Sequence, residues 1–306
     1  MTANISLSAT ARSNLLALQN TASLIGRTQD RLSTGLAIKS PMDDAVKYFQ
    51  AKSLSDRASD LSERKDSIDQ GVSTLETVVK ATEGMEKLVK QMKGIVESAS
   101  SQSKEDRKEA TTQLKELASQ IQLLVDDASY KGLNLLNSTA STLSVRFSEK
   151  TDSKIDVDGV NFNSSNFFLD KAGAAQSLMA ATGTGAEILS ALGFTDSLSN
   201  YGLTDAAKLA SFNAKVVDVL QGLDKTISTL RAKAATIANN AAILNVRLDF
   251  TKEYVNVLQG GSDKLTLADL NEEGANILAL QTRQQLGIQA LSLAGQAEQS
   301  ILRLVQ

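Results

Sequence analysis

The chain has 306 residues, a formal net charge of -3, and no cysteine, histidine or tryptophan. The missing cysteines exclude disulfides and thiolate metal sites, and the missing histidines exclude His-Glu-x-x-His metal helices and Ser–His or Cys–His nucleophiles. Aromatic residues make up 4% of a sequence that is 42% hydrophobic and holds a single proline, a balance that suits long packed helices better than an aromatic-rich globule. Charges of both signs are spread along the chain, so no nucleic-acid-binding field is expected. Met1 to Leu18 lacks a basic segment followed by an apolar run, so no cleaved signal peptide is expected, and no stretch is long enough to predict membrane insertion.

Apolar spacing carries the first layer of information. Leu15, Leu18, Ala22, Ile25, Gln29 and Leu32 step by three and four, predicting a first helix that is polar at one seam position and ends at Gly35. Ser40 then reads as an N-cap, with Pro41 at the first helical position and Asp43 and Asp44 where the helix dipole favours negative charge. A long helix follows through Leu54, Ala58, Leu61, Ile68, Val72, Leu75, Val79, Val89 and Val96. At 1.5 Å per residue, Leu54 to Ala99 would span roughly 70 Å, so it must pack sideways on other long helices. A third helix, Glu105 to Ala128, carries Leu114, Leu117, Ile121 and Leu124 on one face and is broken by Ser129-Tyr130-Lys131-Gly132.

Residues 140–204 change character. Leu143, Val145 and Phe147, then Ile155, Val157, Val160 and Phe162, alternate as strands do, with Asp158-Gly159 as a hairpin-like turn. A short helix is expected around Ala172 to Ala181. Helical spacing then resumes from Leu209 through Phe212, Val216, Val219, Leu223 and Ile227 to Leu258, a seam of about seven heptads that reads as an intramolecular bundle. Gly260-Gly261 is expected to end it, and Leu267 to open a last helix running to the C-terminus.

That last helix is apolar around most of its circumference. Ile277, Leu280, Leu286, Ile288, Leu291, Ala294, Ile301 and Leu304, with Leu278, Leu293, Ala297 and Leu302 beside them, cannot share one stripe. A helix apolar all round must be buried all round. The economical solution is burial among copies of the chain, paired with the N-terminal helix. The expected polymer interface is therefore this set together with Leu15, Leu18, Ala22, Ile25 and Leu32. The fold class expected is mainly α: a long antiparallel helical bundle or coiled coil formed by both termini, with a small mixed α/β central insert. Its expected segments are 1–40, an inner-core helix; 41–139 and 205–262, the two parts of the bundle; 140–204, a surface insert; and 263–306, the C-terminal inner-core helix.

Other features read blandly. The acidic pairs Asp43/Asp44, Asp126/Asp127 and Glu272/Glu273 are neighbours on helices and diverge, so each is a poor two-ligand clamp and reads as capping or surface charge. Gly183-Thr184-Gly185 lacks the third glycine and the lysine of a phosphate loop. Arg27, Arg31, Arg283 and Arg303 read as intersubunit or surface ion pairs. Ser164, Ser165, Thr182 and Thr184 are candidate O-linked sugar acceptors or plain loop. No catalytic residue, metal or cofactor is expected.

Both termini resemble flagellin. Near the start stand Asn14-Leu15, Arg31-Leu32-Ser33-Thr34-Gly35-Leu36 and Ser40 followed by Asp43-Asp44-Ala45. Near the end stand Asn271-Glu272-Glu273-Gly274-Ala275, Leu280-Gln281-Thr282-Arg283-Gln284-Gln285-Leu286-Gly287 and Gln299-Ser300-Ile301-Leu302-Arg303-Leu304. The resemblance implies paired termini lining a filament channel, a homopolymer of many copies, and an outward-facing variable middle. It further implies export through the flagellar type III apparatus, a C-terminal export chaperone, filament cap and junction proteins as partners, and an extracellular location. A hook-filament junction protein, or a subunit whose insert acts as an adhesin, are the alternative readings. Two departures stand out. Val46-Lys47 replaces a common Ala-Gly, and Lys93 stands where some flagellins carry an acid in a patch detected by a vertebrate toll-like receptor, which predicts poor receptor activation.

Overall fold

The computed structural model describes residues 9–162, 167–176, 197–201 and 206–305, together with Leu189, Leu192 and Phe194. Among them five long helices dominate: α1 (Ala9–Thr34), α2 (Ala45–Ser98), α3 (Lys104–Asp127), α4 (Ala206–Thr266) and α5 (Leu270–Val305). Three two-stranded antiparallel pairs complete the described fold: β1 (Ser129–Tyr130) with β2 (Leu133–Asn134), β3 (Thr142–Arg146) with β4 (Lys154–Asp158), and β5 (Phe168–Leu169) with β6 (Ala175–Gln176). The mainly α class with a small β-bearing insert is the one the apolar spacing predicts.

Local chemistry decides the helix ends. α1 stops at Gly35, whose φ of 71° admits the left-handed turn and whose N–H reaches the Arg31 carbonyl at 2.8 Å. α2 is capped by Asp44, not Ser40: the Asp44 carboxylate accepts the Lys47 N–H at 3.1 Å, whereas Asp43 folds back to accept from the N–H groups of Lys39 and Ser40. Those backbone donors hold the Asp43 carboxyl below its ordinary range. Ser103 caps α3 by accepting the Asp106 N–H. α4 does not stop at Gly260-Gly261 but runs on to Thr266. Glycine costs helix propensity, yet α4 is held there from outside: Ser262 Oγ donates to the Ala51 carbonyl, and a Cβ on Gly261 would just touch Leu54. The last helix opens at Leu270, capped by Asp269, because Leu267 is occupied in a β-bridge with Leu36.

The chain divides into two compact units, Met1–Ser59 with Val255–Gln306, and Asp60–Tyr254. The second holds a continuous core. Ile68, Leu75, Met85, Val89, Met92 and Val96 of α2 meet Leu114, Ile121 and Val125 of α3 and Phe212, Leu223, Leu230 and Leu244 of α4, all buried. The few aromatics collect in this unit: Phe162, Phe167 and Phe168 stack edge-to-face in sequence, and Phe212 lies beside Phe194 and Tyr201. Glycine permits two close approaches. A Cβ on Gly71 would lie 2.7 Å from Val145, and one on Gly222 would lie 2.4 Å from the Leu169 carbonyl oxygen. The β5–β6 hairpin thus rests directly on α4, where buried Thr226 accepts the Leu169 N–H.

The insert bears out one expectation and corrects two. β3 and β4 pair Leu143 with Val157 and Val145 with Ile155, as alternation predicts. However, Val160 and Phe162 are not a strand beyond an Asp158-Gly159 turn. Gly159 is wedged among the carbonyls of Ser138, Ser141 and Leu135, and the Val160 and Phe162 N–H groups bond to Leu135 and Leu136. The expected helix from Ala172 also fails over its described part, because Asp170 accepts from the Ala172 and Ala174 N–H groups and turns the chain into β6. Its remainder, with Ser164, Ser165, Thr182, Thr184 and Gly183-Thr184-Gly185, lies outside the described residues.

Candidate functional site: the terminal helix hairpin

In the first unit α1 and α5 pack along each other. Their direction follows from two contacts. Arg31 Nη1 lies 2.8 Å from Glu273 Oε1, and Leu18 lies against Gly287, where a Cβ would come within 2.8 Å of the leucine methyl. Numbers rise on one helix as they fall on the other, so the pair is antiparallel. The turn between them and the rest of the unit is tied by backbone: the Ala37 and Ile38 N–H groups reach the Thr266 carbonyl, and Ala268 N–H reaches that of Gly35.

The covered positions trace one seam on each helix. On α1 the seam is Asn14, Leu18, Thr21, Ile25, Thr28 and Leu32, with Leu24 and Arg31 half-buried beside it. On α5 it is Glu273, Ile277, Leu280, Gln284, Gly287, Leu291 and Ala294, with Gly274 and Gly295 half-buried beside it. Both sets alternate steps of three and four, the heptad spacing of a two-stranded coiled coil. Counting heptads from the Leu18–Gly287 contact brings Ile25 level with Leu280 and Leu32 level with Glu273. This corrects the expected α1 seam. Leu18, Ile25 and Leu32 belong to it, but Asn14, Thr21 and Thr28 take the places assigned to Leu15, Ala22 and Gln29. The spacing rule was satisfied by either set, and hydrophobicity alone picked the wrong alternates. Thr21 tolerates burial because its hydroxyl donates to the Ala17 carbonyl at 2.8 Å.

The hairpin hides little apolar surface. Among the described residues of α1 and of α5 as far as Ala297, the buried ones are Thr21, Thr28 and Glu273, all polar. Buried Glu273 is matched by Arg31, so that arginine is spent within the chain, against the expectation of an intersubunit or surface pair. By contrast Leu16, Leu278, Leu286, Ile288 and Leu293 are each more than half exposed. The expected interface set therefore splits. Leu18, Ile25, Leu32, Ile277, Leu280, Leu291 and Ala294 are half-buried along the seam, while Leu15, Ala22, Leu286 and Ile288 face outward. The side chains of Ile301 and Leu304 lie outside the described residues. Leu16, exposed beside Leu15, was missed because it falls off the three-and-four pattern.

Comparison with known proteins points one way. The family described as bacterial flagellin N-terminal helical region matches residues 5–141. The chain is similar to a flagellin of Brucella melitensis, 28% identical over 307 residues that cover 99% of each protein. It is also 29% identical to flagellin C of Rhizobium meliloti over 226 residues, 68% of this chain and 70% of that one. Among solved structures, a protein of Vibrio parahaemolyticus described as flagellar hook-associated shares the fold, with a TM-score of 0.56 and 16% identity over 74% of this chain and all of that one.

Proposed function

We propose that this chain, which belongs to the bacterial flagellins, is joined to its copies through the outward apolar face of the α1–α5 hairpin. As a flagellin it is a structural subunit that self-assembles into the extracellular flagellar filament. The observation that carries the interface assignment is the imbalance just described: the hairpin buries no described apolar side chain fully, yet exposes Leu15, Leu16, Leu278, Leu286, Ile288 and Leu293. Exposed apolar side chains in that number favour association, at roughly 25 cal/mol per Å² removed from water. The seam leucines serve the hairpin, and the outward ones serve the polymer. Because a hairpin this sparsely buried gains little from folding alone, it orders on joining neighbours, whose burial offsets the conformational entropy.

Function here rests on packing rather than on a chemical centre, and we assign the chain no enzymatic activity. An exposed apolar C-terminal helix also supports the reading that an export chaperone covers it before passage through the flagellar type III apparatus, with cap and junction proteins as later neighbours. Full-length similarity to a flagellin favours the filament over the junction. The division of labour proposed is terminal helices for assembly, α2–α4 for a stable body, and residues 140–204 for the outer surface. Electron microscopy of the Ile288→Lys variant after seeding tests the assignment. The variant should remain a soluble helical monomer under conditions where the unmodified chain gives long filaments of uniform diameter. Normal filaments from the variant would refute it.

A further inference from the structure

The β1–β2 turn carries a residue that the filament role does not use. Lys131 and Gly132 have φ of 49° and 84°, the two positive values that a two-residue type I′ hairpin turn needs. Asparagine, aspartate or glycine ordinarily fills the first of these positions. Lysine there is strained by its Cβ, and Lys131 is the one non-glycine residue with positive φ among the described residues. Strain of this kind persists where the side chain is put to use.

Lys131 stands on the wall of a cavity of about 520 Å³ between α2, the β1–β2 turn and β3. Arg64 and Arg146 line the same cavity, as do the hydroxyl-bearing Ser67, Thr74 and Tyr130, and no carboxylate residue is on its walls. The Lys131 ammonium donates to the neutral Gln70 amide oxygen at 3.0 Å, which places it without cancelling its charge. Arg146 has an acid nearby in Asp156, but that carboxylate is engaged at 2.6 Å by Lys154 and also accepts from Ser144. Leu133, Leu143 and Val145 supply an apolar side. The volume falls in the range of small-molecule sites. Three cations on a wall that carries no carboxylate favour an anionic ligand, and several hydroxyls beside a phenol ring suit a polyhydroxylated ring better than an acidic peptide.

We propose that this cavity binds an acidic sugar, its carboxylate held by Lys131 and Arg64. The sugar hydroxyls donate to Tyr130 and to the lone pairs left on Ser67 and Thr74, whose own hydroxyls donate to the Glu63 and Gln70 carbonyls. The site lies in the second unit and shares no residue with the α1–α5 surface proposed above to join copies. The probe is a trimer of galacturonate titrated calorimetrically into the full-length monomer, beside a trimer of galactose, inorganic phosphate and a glutamate-rich peptide. Galacturonate should bind saturably and weaken as salt is added, and galactose should not bind. Lys131→Asn separates site from fold, because asparagine suits the positive φ: it should raise the Tm while weakening galacturonate about tenfold. The assignment is overturned if galacturonate does not bind, if galactose, phosphate or the peptide binds equally well, or if Lys131→Asn leaves affinity unchanged or lowers the Tm. None of these outcomes bears on whether the chain forms filaments.

Discussion

The α1–α5 hairpin and the α2–α3–α4 body are built from the same heptad spacing and reach opposite results. In the body the seam positions are filled by Leu75, Met85, Leu114, Ile121, Phe212 and Leu244, each essentially removed from solvent. In the hairpin the two positions of α1 that are buried hold threonine, and the leucines are half-covered or outside. Three helices enclose a core where two cannot, since each helix of a pair keeps most of its circumference free. The body therefore hides its apolar seam within the chain, whereas the hairpin leaves large apolar side chains exposed. Spacing reports that a helix has a packing face; the number of helices on hand decides whether that face is hidden.

This contrast can be broken in graded ways. The largest effect should come from a charge on the outer hairpin face. Ile288→Lys should abolish polymerisation while leaving the denaturant midpoint of the body within the range of ordinary surface changes, about 0.5 kcal/mol. A cavity in the body should do the reverse. Phe212→Ala removes a fully buried ring that touches Phe194 and Tyr201 and lies 5.4 Å from the Arg107 guanidinium, and should cost about 3–5 kcal/mol in chemical unfolding. Gly222→Ala should cost less, about 1–3 kcal/mol, by forcing the β5–β6 hairpin off α4, with chemical-shift changes centred on Leu169 and Thr226.

A smaller effect should appear in the body at low pH. Glu86 accepts from Arg231 and Lys90, and these partners hold its carboxyl down at about 2. A carboxylate whose folded pKa lies below its unfolded value stabilises the fold above the unfolded value, near 4.5, and loses that contribution as pH falls towards 2. Because Arg231 is largely exposed, the gain is about 1 kcal/mol or less. Glu86→Gln should flatten the stability profile of the body between those limits, and an unchanged profile would remove the pair from the account. A further comparison concerns recognition. Lys93 is tied to Asp224 at 2.6 Å, presenting an ion pair where an acid stands in some flagellins. Purified protein should therefore give a weak response in toll-like-receptor reporter cells, and a strong response would contradict that reading.

Much of this was legible in the sequence, and the misses have physical reasons. The body's seam on α4, from Phe212 through Leu244, was read directly, because each apolar residue there meets a complementary one. The α1 seam was half-read: Leu18, Ile25 and Leu32 were right, but the choice of Leu15 and Ala22 over Asn14 and Thr21 assumed that the pair buries its best hydrophobes. Instead those hydrophobes are kept outside. Gly260-Gly261 misled because a glycine pair ends a helix only where nothing else holds it, and α2 holds it. Ser40 lost its cap to Asp44 through hydrogen bonds made by Asp43, which spacing does not encode. Lys131 was read as a helix breaker, correctly, but its positive φ and the cavity beside it depend on α2 and β3, distant in sequence.

The central claim is that the hairpin gains its order from other copies while the body does not. Amide hydrogen exchange, measured on the monomer and on filaments of the same protein, tests it most directly. Amides of α3 should be strongly protected in both states, whereas those of α1 and α5 should exchange freely in the monomer and gain about 100-fold or more protection in the filament. Protection of α1 and α5 in the monomer equal to that of α3 would contradict the account.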